Sequence, residues 1–82
     1  MENERLKYEG RLAEKRHELR TLKLKINSLR DSVRANLDPF EAIEHLNADA
    51  AAETAVDLAE KVIQYRELID QIGAIERALG RG

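Results

Sequence analysis

Cysteine and tryptophan are absent from this chain of 82 residues, proline and phenylalanine occur once each, and tyrosine occurs twice. Without cysteine neither a disulfide nor a thiolate metal site can form. Two histidines leave little scope for a metal site built on imidazole. The scarcity of aromatic rings removes the platforms on which unpaired bases stack. No apolar run approaches the roughly 18 residues needed to cross a bilayer. The opening MENERLKYEGR is charged throughout and lacks the apolar stretch of a secretion signal. These absences point to a cytoplasmic protein with no cofactor, no metal and no membrane partner.

What is present is 43% apolar and 37% charged, the aliphatic, Ala, Glu, Lys and Arg mixture of long helices and coiled coils. A chain this short makes one small domain and buries only about 60% of its unfolded surface. It often needs a staple or a second subunit to stand. Its charge is lopsided. Residues 1–37 carry ten Lys/Arg against six Asp/Glu, while residues 38–82 carry four against ten, so +4 is followed by −6. Opposite fields of this kind favour halves that face each other.

The spacing predicts two long helices. In the first half Leu12, Leu19, Ile26 and Val33 recur every seven residues, with Leu22 and Leu29 three residues after two of them. That is a heptad seam, extended backward by Tyr8, interrupted by Lys15 and ending near Asn36. It predicts a helix from about residue 2 to 36, with Gly10 outward. In the second half Ala48, Ala51, Ala55, Leu58, Val62, Tyr65, Ile69, Ile72, Glu76 and Leu79 alternate at spacings of three and four. They predict a helix from about 48 to 80, stopped by Gly80.

Pro39 divides the two. A residue before proline is pushed out of helical geometry, so the first helix ends here. Asp38, Pro39 and Glu41 fit a helix start, and Asn47 and Asp49 offer later caps. Helices of about 35 and 33 residues would each be roughly 50 Å long and match end to end. Residues 38–47 then form a short capping turn in an antiparallel hairpin, with Phe40, Ile43 and Leu46 plugging its end. In the expected register Leu19 meets Tyr65, Leu22 meets Val62, Ile26 meets Leu58 and Leu29 meets Ala55.

The second helix carries more apolar surface than one seam uses. Val56 and Ile63 lie on one flank, Leu68 and Ile75 on the other, and Ala52, Ala59 and Gly73 form a strip of small residues. A stripe this wide belongs to a helix with two or more neighbours. It predicts a homodimer, two hairpins pairing into a four-helix bundle, or a hairpin whose missing partner is another protein.

A basic stripe runs along the first helix: Lys7, Arg11, Lys15, Arg16, Arg20, Lys23, Arg30 and Arg34. Like charges four apart repel by about 0.2–0.5 kcal/mol per pair, so acidic groups should lie nearby. Nucleic-acid phosphate is one candidate; the acidic second helix, its own or a partner's, is the other. Glu9, Glu14 and Glu18 interrupt the stripe and the net charge is −2, which favours the protein. His45 lies near Glu41, Glu44 and Asp49, a group more simply read as helix-start acids beside a solvated imidazole than as a metal site.

No nucleophile–base pair and no Gly-rich phosphate loop is visible. RELIDQIGAIERAL superficially resembles helices of the small helical chorismate mutases. That family needs Arg, Lys and Glu/Gln converging inside a bundle, whereas the first helix here has only Lys15 in its seam. No enzyme activity is expected.

SLRDSVRANLDPFEAIEHL, AAAETAVDLAE and YRELIDQIGAIERALG together resemble a group of short helical proteins encoded in Mu-like prophages, best over residues 28–80. The resemblance rests on the LDPFE turn and the YREL…I…LG ending. It implies a phage or prophage product acting in a bacterial cytoplasm by binding host or phage proteins. It carries over no functional residues.

Overall fold

A computed structural model describes residues 2–81. Two helices, α1 (Glu2–Asn36) and α2 (Ala48–Ala78), flank a single 3-10 turn at Ile43–His45, and no strand occurs among the described residues. The helices lie side by side in a rod of 64 × 17 × 15 Å. Near the start of α1, Glu9 pairs with Arg81, just past the end of α2. Arg16 in turn reaches Glu76. The helices are therefore antiparallel.

Along α1 the buried and half-buried residues are Tyr8, Leu12, Lys15, Leu19, Leu22, Ile26, Leu29, Val33 and Asn36, joined by Glu9 and Asn27 at the edges. This is a strict four–three heptad seam. Lys15 sits in it because its aliphatic stem can lie along the apolar surface while the ammonium reaches water. On α2 the seam runs through Ala51, Leu58, Tyr65, Ile72 and Leu79, with Leu68 and Ile75 between them in the second half. The spacing alone instead favours Ile69 and Glu76 in those intervening positions. Ile69 stands exposed, while Leu68 is buried and Ile75 packs against the core. The physical reason is polarity: of the two phases, only the one through Leu68 and Ile75 keeps the Glu76 carboxylate off the seam.

The register also differs from the expected one. Leu22 shares a groove with Leu68 where Val62 was expected, and the partners of Glu9 and Arg16 fall at Arg81 and Glu76. These α1 residues thus meet α2 about two turns nearer its C-terminus. The tightest packing is at the open end, where Leu12 (1% exposed), Ile72 and Leu79 close on Tyr8, Leu19 and Ile75. Toward the bend the large seam residues Ile26, Leu29, Val33, Leu58 and Val62 are only half-buried.

The ends of α2 are set locally. Leu37 N–H still donates to the Val33 carbonyl at 3.1 Å, after which Pro39 breaks the chain's helical run. Asp38 does not start a helix: its carboxylate accepts from Phe40 N–H at 2.9 Å and its carbonyl from Glu41 N–H at 3.2 Å, which closes a turn. Helix α2 begins after Asn47, whose side chain makes no cap hydrogen bond. It stops at Gly80, which adopts φ +73°. Gly80 N–H donates to the Arg77 carbonyl at 3.0 Å and Arg81 N–H to that of Glu76 at 2.8 Å, the crossed pair of a Schellman stop.

The bend residues do not plug the hairpin. Phe40 is 95% and Ile43 87% exposed, and Leu46 alone of the three is partly covered. A three-residue 3-10 turn lacks the α-helical period that would bring these side chains onto one inward face.

Candidate interaction surface

The ion pair between Arg16 and Glu76, 3.6 Å apart, shows which flanks of the two seams adjoin. Arg16 follows Leu12 by four residues, and Lys23 and Arg30 repeat that position along α1. Glu76 follows Ile72 by four, and Ala55, Val62 and Ile69 repeat it along α2. On this face, then, a row of cations on α1 runs beside a row of apolar side chains on α2. The next row outward continues the contrast: Arg20, Asn27 and Arg34 on α1, against Ala52, Ala59, Arg66 and Gly73 on α2.

Beyond Ala52 and Ala59, on the outer side of α2, come Val56 (62% exposed) and Ile63 (54% exposed). Ala52 and Ala59 are exposed as well. Four of the six residues assigned to the apolar strip therefore do form one open surface. The other two do not belong to it. Leu68 is 8% exposed and Ile75 lies against the core, so both are spent on the seam between the helices. Ile69 is exposed too, in the row of Ala55 and Val62 that borders the seam; its signal was the Ile75/Glu76 choice one turn further on.

The basic residues divide likewise. Arg16, Arg20, Lys23, Arg30 and Arg34 share the face just described, whereas Lys7 and Arg11 lie across the seam and Lys15 is half-buried within it. Arg11 sits over the Tyr8 ring at 5.9 Å. Among the described residues, Arg16 is the one member of the five-cation face with an acidic partner, and Arg30 instead donates to Asn27 Oδ1 at 2.6 Å. Three of the acidic side chains of α2, Glu53, Glu60 and Glu67, are carried on its far side.

No group of three or more His, Asp or Glu side chains able to hold a metal ion occurs among the described residues. No described helix is long and apolar enough to cross a membrane. No family model, curated protein or solved structure matches the chain.

Proposed function

We propose that this protein is a non-enzymatic helical interaction module, a coiled-coil hairpin that associates with a second copy of itself and presents a helix face to a host or phage protein. One observation carries the reading. Val56 and Ile63 stand exposed with Ala52 and Ala59 on the half of α2 where the hairpin's own seam is only half closed. Fully burying an aliphatic of this size is worth about 1.5–3 kcal/mol, so a partner helix laid on this strip gains from covering it. The LDPFE and YREL resemblance supports reading the module as a prophage product that acts in a bacterial cytoplasm.

The test is mass by light scattering. A dimer-weight species that dissociates on dilution supports the reading. A particle of 9.4 kDa at every concentration removes self-association and leaves the strip to a foreign protein.

The five-cation face favours a second reading, an accessory protein that binds nucleic acid through Arg16, Arg20, Lys23, Arg30 and Arg34. Retention on DNA at low salt, falling steeply as salt rises, would establish it. No retention at low salt would dismiss it.

A further inference from the structure

Resting on the nucleic-acid reading, we infer that the ligand of the cationic face is a duplex, held by its phosphates without regard to base sequence. Two rows of each helix make up this face. Between Ala13 and Arg34 the α1 rows hold five cations, and Ala13 and Asn27 are their only other members. The matching rows of α2, from Ala52 to Glu76, are small or apolar apart from Arg66 and Glu76. Glu76 is taken by Arg16. Arg20, Lys23, Arg30, Arg34 and Arg66 have no acidic partner among the described residues. Arg66 also fills a gap. The pairs Arg16–Glu76 and Leu22–Leu68 set it level with the stretch between Lys23 and Asn27, where the α1 rows lack a cation.

The shape and chemistry of this face select the ligand. From Arg20 to Arg34 the array runs about 21 Å along a straight helix, and a duplex sets one charge per roughly 1.7 Å of axis against it, twice the density of one strand. A single strand is held largely by stacking on aromatic rings, and none lies here. Tyr8 packs against the core, Tyr65 is half-buried in the seam and Phe40 stands at the bend. Base edges are out of reach as well. The face is two helices wide on a rod 17 × 15 Å in section, too broad for a major groove about 12 Å across. Within these rows Ile69 is the one large apolar side chain that stands exposed. That is too little apolar area to hold a lipid surface or an amphipathic helix.

Fluorescence anisotropy of the full chain with three labelled probes tests this: a mixed-sequence DNA duplex of about 20 base pairs, one of its strands alone, and polyglutamate of similar length. At about 50 mM salt the duplex should bind at least about tenfold more tightly than either other probe. Five phosphate contacts predict a loss of about 500-fold between roughly 50 and 200 mM salt. Arg30→Ala and Arg34→Ala should each lower the slope of log affinity against log salt by about one. Lys25→Ala, in the groove on the opposite side of the rod, should leave that slope unchanged. A single strand bound as tightly as the duplex overturns the inference while the nucleic-acid reading stands. Polyglutamate bound as tightly means that the face takes an acidic polypeptide, and overturns it too. An equal drop in slope for Lys25→Ala shows that the contacts lie elsewhere. Binding of none of the three probes at low salt defeats the nucleic-acid reading itself.

Discussion

Arg16 Nη2 lies 3.6 Å from Glu76 Oε1 across the two helices, and this one contact ties together register, direction and the face that each flank occupies. Both side chains reach solvent, at 47% and 31% exposed, so its worth is in orientation more than in stability. A double-mutant cycle on Arg16→Ala and Glu76→Ala should give a coupling of about 0.2–1 kcal/mol, shrinking at high salt. Chemical denaturation at two salt concentrations measures it. A coupling near zero at low salt would mean the contact does not hold the register.

Leu12 is the most enclosed side chain in the hairpin, whereas Leu24 on the same helix is 73% exposed. Leu12→Ala should therefore destabilise by about 2–5 kcal/mol, and Leu24→Ala by no more than about 0.5 kcal/mol. Thermal melts followed by circular dichroism separate the two. Equal effects would contradict the assigned seam.

Two glycines should respond in opposite directions. Gly80 holds φ +73° at the helix stop, where an L side chain costs about 1–2 kcal/mol, so Gly80→Ala lowers stability. Gly10 is interior to α1 with open space where a Cβ would sit, so Gly10→Ala raises stability by up to about 1 kcal/mol. Melting temperatures of the two variants give the signs directly.

The bend residues should matter little to the stability of the hairpin. Phe40→Ala and Ile43→Ser remove side chains that touch little within one copy, so monomer stability in dilute solution should shift by no more than about 0.5 kcal/mol. A large loss of monomer stability would show that these side chains pack inward after all.

The α1 seam was legible because its sequence allows one phase: Leu19, Ile26 and Val33 are flanked on both sides by charged or polar residues, and Leu12 by Arg11 and a small Ala13, so no neighbouring row competes. Helix α2 offers two. Its alanine-rich start has no phase preference, and Leu68 with Ile75 competes with Ile69 and Glu76 for the same position. Choosing the second pair misplaced those two seam positions, and with them two members of the candidate strip, while Ala51, Leu58, Tyr65, Ile72 and Leu79 stand where the spacing puts them. The bend was the least legible part. Spacing Phe40, Ile43 and Leu46 three apart suggests an inward face, but a turn that is not α-helical does not honour that period. The two exposed aliphatics that carry the proposed function, Val56 and Ile63, were legible as surplus beyond a two-helix seam.

The most direct test is sedimentation equilibrium of the wild-type chain beside a Val56→Glu/Ile63→Glu double variant, with helicity of both confirmed by circular dichroism. The account predicts a reversible monomer–dimer equilibrium for the wild type and a fully helical monomer of 9.4 kDa for the variant. A variant that dimerises as tightly as the wild type would contradict it.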